Sequence, residues 1–183
     1  FSKYDLKGNN VHHDLQKICT ANIKNDPGRT TYTQMLNQDG GIETDLTVVC
    51  FSKDHFRIIT SAANRERDKF HILKHLSDDI ELKDVTDEVA CFGLFGPKSI
   101  DLLQRLSKDD ISNDKIKFAY FKKIQINNID IIAQRLSYVG EIGFELYCDI
   151  SNSKDIFFCL LKYYNRQQPP LNALRQYLFQ FYF

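Results

Sequence analysis

Tryptophan is missing from this 183-residue sequence, methionine occurs once, and prolines number four and glycines eight. No internal repeat and no low-complexity tract interrupts it. No apolar run approaches the roughly 20 residues of a membrane-spanning helix, so no membrane partner is expected, and no signal peptide is visible. Lys plus Arg and Asp plus Glu are both 24, a formal net charge of zero. Without a basic excess, nothing points to nucleic acid or an anionic surface as partner. Neither a Cys-x-x-Cys pair nor a Gly-x-Gly-x-x-Gly run occurs.

The five cysteines (Cys19, Cys50, Cys91, Cys148 and Cys159) are widely spaced and odd in number, and most lie in apolar stretches. They read as buried free thiols in a reducing compartment: bacterial cytoplasm, or mitochondrial matrix if the source is eukaryotic. His12 and His13 are adjacent with no third ligand nearby, so they read as surface residues and no metal site is expected. The apolar fraction, 43%, is ample for a core. The length suits one domain or two small ones. The chain opens Phe1-Ser2-Lys3-Tyr4 without a Met, which reads as an internal piece of a longer protein.

The stretch Tyr32–Val48 organises the first half. Two apolar-alternating runs flank Asp39-Gly40-Gly41, a hairpin signal in which glycine supplies positive φ. Glu43 and Asp45 follow the turn two residues apart, so on a strand they share a face. Leu46-Thr47-Val48-Val49 makes the far half of that strand look buried, which predicts a partly buried Asp45. The plainer alternative is a solvated acid or turn cap at a hairpin mouth.

Before this hairpin, Ser2 to Lys7 suits a strand, and Val11, Leu15 and Ile18 have helical spacing behind a cap at Asn9 or Asn10. After it, His55 to Thr60 alternates as a strand. Ala62 to Leu76 reads as an amphipathic helix behind Ser61, with Phe70, Leu73 and Leu76 inward and Arg65, Arg67, Asp68 and Lys69 in water. Strands are expected at Ile80–Asp84 and Val89–Phe95. Pro97 suits the first turn of a helix bearing Ile100, Leu102, Leu103 and Leu106. Phe118–Ile126 and Ile129–Tyr138 form a hairpin around Asn127-Asn128. Phe144–Ile150 is a last strand, and a helix follows from Lys154 to Tyr164.

The fold class is therefore α+β, antiparallel sheets flanked by helices, with a second half close to a ferredoxin-like split βαβ unit. The expected division is 1–78, 79–166 and a tail, 167–183, whose crowded Leu, Phe, Tyr and Gln lack clean periodicity and set it apart from the fold.

A second informative stretch is Tyr138-Val139-Gly140-Glu141-Ile142-Gly143-Phe144-Glu145. Its two glycines permit a sharp turn or close approach. Tyr138 and Glu145 flank that turn. An aromatic ring beside a carboxylate suits a flat heterocycle with adjacent N–H donors, through stacking and paired hydrogen bonds. The alternative is a plain turn with a solvated Glu and a core Tyr.

Gly40-Gly41-Ile42-Glu43-Thr44-Asp45-Leu46, Gly93-Leu94-Phe95-Gly96-Pro97 and Tyr138 to Glu145 together resemble, in order and separation, the folate-binding region of the glycine-cleavage T-protein (aminomethyltransferase) family. The resemblance covers about Phe1 to Leu161. Phe1-Ser2-Lys3-Tyr4, Tyr32-Thr33-Gln34-Met35-Leu36-Asn37 and Tyr-Val-Gly-Glu are most similar to the branch fused behind an FAD-dependent oxidoreductase domain, that of dimethylglycine and sarcosine dehydrogenases. The resemblance implies tetrahydrofolate-dependent one-carbon transfer, forming 5,10-methylene-tetrahydrofolate from an N-methyl amine oxidised to an iminium. It implies that Asp45 stands near the folate amine, that Glu145 grips the pteridine ring and that Tyr138 lines the same pocket. FAD would belong to a covalently linked N-terminal domain outside this chain, so the chain by itself is expected to be inactive. The family also holds a non-catalytic regulatory subunit of pyruvate dehydrogenase phosphatase and the stand-alone aminomethyltransferase; both remain alternatives.

Overall fold

The computed structural model describes residues 1–166 and 178–182, with 164–166 and 178–182 described by backbone alone. The chain divides into two units, Phe1–Asp87 and Glu88–Phe183.

In the first unit, β1 (Ser2–Lys7), α1 (Val11–Ile18), β2 (Thr30–Leu36), β3 (Ile42–Ser52), β4 (His55–Thr60), α2 (Arg65–Lys74) and β5 (Glu81–Asp84) follow in chain order. The five strands form one sheet in the order β2-β3-β4-β1-β5, every pair antiparallel. Alternation sends Tyr4, Leu6, Leu46, Val48, Phe56 and Ile58 to one core, which α1 closes with Val11, Leu15 and Ile18, and α2 with Ile72. The β2–β3 turn is tied by Asn37, whose Oδ1 accepts from the backbone N–H of Asp39 at 3.0 Å and of Gly41 at 2.8 Å. On the other sheet face Arg57 donates to both oxygens of Asp5, at 2.6 and 2.9 Å. Burial opposes the Asp5 charge, but hydrogen bonds from His55 and Arg57 outweigh it and hold the carboxyl at about 2.

The unit ends at Asp87 rather than at residue 78 because β5 pairs with β1, Tyr4 lying opposite Asp84 and Lys7 opposite Glu81. Val85 N–H then donates to the Lys3 carbonyl at 2.9 Å.

Helix α2 is shorter than periodicity predicts and rotated about its axis. Phe70 is 71% exposed and Leu73 47%, whereas Ile72 and Asp68 are buried. Residues four apart share a helix face, and this face is the one turned inward. Two anchors outside the apolar pattern hold it there: Tyr4 Oη donates to the Arg65 carbonyl at 2.6 Å, and the Arg65 guanidinium pairs with Asp84 at 2.8 Å and Asp87 at 2.9 Å.

Asp68 is thereby trapped in the core. Neither carboxylate oxygen has a hydrogen-bond partner among the described residues, and the Arg67 guanidinium stands 3.6 Å from Oδ1. Burial pushes its pKa up, against weaker opposition from Thr60, Arg67 and Thr44. A raised folded-state pKa adds stability below the unfolded value of about 3.9 and forfeits it as pH rises through the folded value. Asp68→Asn is therefore expected to gain about 1 kcal/mol at pH 7, and the gain should shrink toward pH 4. Urea denaturation at the two pH values checks this.

In the second unit, β6 (Val89–Phe95), α3 (Ser99–Leu106), β7 (Phe121–Ile126), β8 (Ile129–Gln134), β9 (Gly143–Asp149), α4 (Ser153–Arg166) and β10 (Leu178–Tyr182) follow one another. The sheet order is β10-β6-β9-β8-β7. Three strands separate α3 from α4, and all pairings are antiparallel; the likeness to a split βαβ unit is one of element order. The α+β class with antiparallel sheets stands. Phe92, Leu94, Phe144 and Leu146 form the apolar face of the sheet, packed in one cluster with Leu102 and Leu103 of α3 and Ile156 and Leu160 of α4. Asn127 and Asn128 take φ of 50° and 62° in the β7–β8 turn, as a type I′ turn demands.

The tail expected to stand outside the fold contributes β10: Leu178 lies opposite Phe95 and Tyr182 opposite Cys91. An open β6 edge offers unpaired N–H and C=O groups to any extended segment that reaches it. Residues 167–177 and 183 lie outside the described residues.

Strand β9 starts at a point of close approach. A Cβ at Gly143 would meet the Leu94 carbonyl oxygen at 2.6 Å and Phe95 Cα at 2.8 Å, as well as the Phe95 ring. Two of these neighbours are backbone and cannot swing away. Gly143→Ala is expected to cost about 1–3 kcal/mol of stability through overpacking, measured as a lowered urea midpoint with the unfolding slope unchanged.

Candidate functional site

The face of the second sheet opposite its helices carries an unusual row. Gly93 of β6, Glu145 of β9 and Gln134 of β8 are direct partners in register. Cys91, Tyr147 and Ile132 form the next row. Polar side chains on a sheet face are ordinarily solvated, yet Glu145 and Gln134 are each only 1% exposed and Tyr147 3%.

The hydrogen bonding of this group is incomplete. Tyr147 Oη donates to Glu145 Oε2 at 2.6 Å. Glu145 Oε1 and Gln134 Nε2 are buried and have no partner among the described residues. Burial pushes the Glu145 carboxyl above its ordinary value, and the Tyr147 hydrogen bond only partly offsets this. Burial also drives the Tyr147 phenol far upward, helped by Cys91 and by Glu145 itself, so Tyr147 stays a donor. What remains is one carboxylate oxygen ready to accept and one amide N–H group ready to donate. A buried polar atom without a partner is costly, and a ligand edge with matching donors and acceptors removes that cost.

Tyr138 does not end a strand as predicted. Strand β8 stops at Gln134, and Tyr138 sits in the bend before β9, 52% exposed. Glu145 is not solvated either; it is among the most enclosed charged residues of the chain.

Asp45 lies in the first unit, on β3 opposite Gln34 of β2. It is exposed rather than partly buried, because alternation gives the inward positions to Thr44 and Leu46. What orients it is Tyr32, whose Oη donates to Asp45 Oδ2 at 3.0 Å. That bond is the leading cause of a raised Tyr32 pKa. Glu43 shares the face and is half-buried, and its backbone carbonyl accepts from the Arg67 guanidinium.

Sequence reasoning missed Tyr32, Tyr147 and Gln134 as partners. Tyr147 had a signal: it stands two residues from Glu145 and so shares its face. Gln134 had none, since only the β8–β9 register brings it opposite Glu145. His12, expected at the surface, is half-buried, its Nε2 2.9 Å from the Ile23 carbonyl. Among the described residues no group of three or more His, Cys, Asp or Glu is placed to hold a metal, and no helix is long and apolar enough to cross a membrane.

Comparison with known proteins accounts for the fold. The GCVT N-terminal domain family matches residues 1–167. The aminomethyltransferase of Anoxybacillus flavithermus is 32% identical over 161 residues, covering 87% of this chain and 44% of that protein. Mitochondrial dimethylglycine dehydrogenase of Homo sapiens is 33% identical over 154 residues, covering 80% of this chain and 17% of that protein. The chain thus spans less than half the length of these relatives. Among solved structures, aminomethyltransferase T of the glycine cleavage system from Bartonella henselae superposes with a TM-score of 0.75 at 19% identity, over 87% of this chain and 43% of that one. A chain of the heterotetrameric sarcosine oxidase from Corynebacterium sp. U-96 superposes with a TM-score of 0.69 at 12% identity, over 92% of this chain and 81% of that one.

Proposed function

Because the chain belongs to the GCVT N-terminal domain family, we propose that it is the tetrahydrofolate-binding, one-carbon-transfer portion of a dimethylglycine or sarcosine dehydrogenase-like enzyme. The observation that carries this reading is the buried Glu145, with Oε2 held by Tyr147 and Oε1 unpartnered among the described residues. A pteridine presents adjacent N–H donors on its pyrimidine edge, and a carboxylate enclosed in this way accepts them with little competition from water. Tyr138, half exposed in the bend that leads into β9, offers its ring as a wall of the same pocket.

Bound tetrahydrofolate would supply the two nitrogens that capture a one-carbon unit as 5,10-methylene-tetrahydrofolate. Asp45 is the acceptor for the proton released by the attacking amine, or the counter-charge to it. Its Tyr32 hydrogen bond restricts the carboxylate to one orientation while leaving Oδ1 available. No covalent nucleophile is required, since an iminium is already electrophilic and positioning supplies the rate. FAD belongs in this reading to a linked oxidoreductase domain that generates the iminium, and the five free cysteines suit a reducing compartment, bacterial cytoplasm or mitochondrial matrix. A second reading, the folate-binding part of a stand-alone aminomethyltransferase, is favoured by the comparable identity to relatives of that kind. It keeps the same residues in the same roles and changes only the donor of the one-carbon unit.

Glu145→Gln removes the charged acceptor with little change of shape. It is expected to weaken binding of 5-formyltetrahydrofolate at least about tenfold, measured by titration calorimetry on protein shown to be folded by circular dichroism. The unsubstituted chain should lose affinity as pH falls through the raised Glu145 pKa, since the ligand needs the ionised form, whereas the variant should be flat over that range. Equal affinity of the two proteins would remove Glu145 from the site. In the complete enzyme, Asp45→Ala should leave amine oxidation intact and lower methylene-tetrahydrofolate formation roughly 10²-fold, with free formaldehyde appearing instead; unchanged methylene-tetrahydrofolate yield would sink the Asp45 role.

A further inference from the structure

Gln134 has no part in the function proposed above, yet its amide is the second unpartnered polar group of the Glu145 row. Its Nε2 is buried without a hydrogen bond among the described residues, and the residue is 1% exposed. It stands directly opposite Glu145 across the β8–β9 ladder, and such cross-strand neighbours have Cβ atoms about 5 Å apart. On the other side of Glu145 lies Gly93, which has no side chain to fill the space, and the row continues beyond it to Gln180 of β10. Two complementary groups, a donor and an acceptor, therefore share one row, both enclosed and neither used among the described residues.

Resting on the folate reading, we propose that Gln134 is a specificity-determining residue that donates from Nε2 to the ring oxygen flanking the N–H donors bound by Glu145. A 2-amino-4-oxo pyrimidine presents donor, donor and acceptor in sequence along one edge. Glu145 accepts from the first two, since each carboxylate oxygen has two lone pairs and Tyr147 occupies only one of them. Gln134 supplies the donor that the third atom needs. Tyr147 is a positioning residue, fixing the Glu145 carboxylate so that Oε1 stays free. Together the two strands read the order of the edge, and a carboxylate by itself reads only its donors.

The test uses 5-formyltetrahydrofolate with the chain and with Gln134→Met, Gln134→Leu and Glu145→Gln, each checked for folding. Losing one neutral hydrogen bond that leaves a ligand oxygen unpaired should weaken binding about tenfold in whichever Gln134 variant is folded. In protein labelled with 15N-glutamine, the side-chain NH2 signals missing from Gln134→Met should move downfield on saturation. Gln134 variants that bind within twofold of the unsubstituted chain, or NH2 signals unmoved at saturation, would overturn this inference; if Glu145→Gln is weakened in the same experiment, the folate reading stands without it. An absence of saturable binding, or an unweakened Glu145→Gln, would overturn both.

Discussion

The β6–β9 ladder begins where Gly143 lies against Phe95, in a space with no room for a side chain. Its entry is pinned from the loop side too: Gly96 N–H donates to the Ile142 carbonyl at 2.8 Å, and Ser99 Oγ to the same oxygen at 3.2 Å. Once that first pair is set, strand geometry leaves no freedom downstream. A slip of one residue would carry Phe144 and Leu146 out of the core and Glu145 into it. The apolar cost of that slip forbids it, so the two-residue period places Glu145 beside Gly93 and Gln134 and puts Tyr147 next to Cys91. The polar row is a by-product of a register that the core enforces.

Three carboxylates illustrate how environment assigns role. Asp45 is exposed and steered by a single phenol, which leaves it accessible. Glu145 is enclosed, with one oxygen satisfied and one free, a state that favours a ligand bringing its own donors. Asp68 is as deeply buried as Glu145 but sits between helix and sheet, without a hydrogen bond among the described residues and with Arg67 at 3.6 Å. Its burial follows from the Arg65 and Tyr4 anchors that set the rotation of α2, so the acid is carried inward by its neighbours. Of the three, and among the described residues, the Glu145 surroundings alone combine an unpartnered acceptor with an unpartnered donor in cross-strand register.

Much of the fold was legible in the chain because its strand and turn signals are local. The Asp39-Gly40-Gly41 and Asn127-Asn128 turns, the period-two runs around them and the spacing of Val11, Leu15 and Ile18 each report on residues that touch in sequence. These local rules decided the antiparallel hairpins and the helices α1 and α3. They misjudged α2 because Phe70 and Leu73 complete a plausible stripe with Leu76, which alone of the three packs on the core, while the true inward face is set by contacts to β1, to β5 and to the segment after it, which the helix sequence does not contain.

The candidate site divides in the same way. That Asp45 and Glu145 are acids flanking glycine-bearing turns, and that the family motifs stand in this order, follows from the sequence by itself. The exposure of Asp45, the burial of Glu145, the place of β5 in the first sheet, the addition of Leu178–Tyr182 to β6 and the meeting of Gln134 with Glu145 were decided by tertiary structure. The reason is physical: burial and cross-strand register are properties of segments brought together from distant parts of the chain, and a strand carries no local mark of which residue its neighbour will set against it.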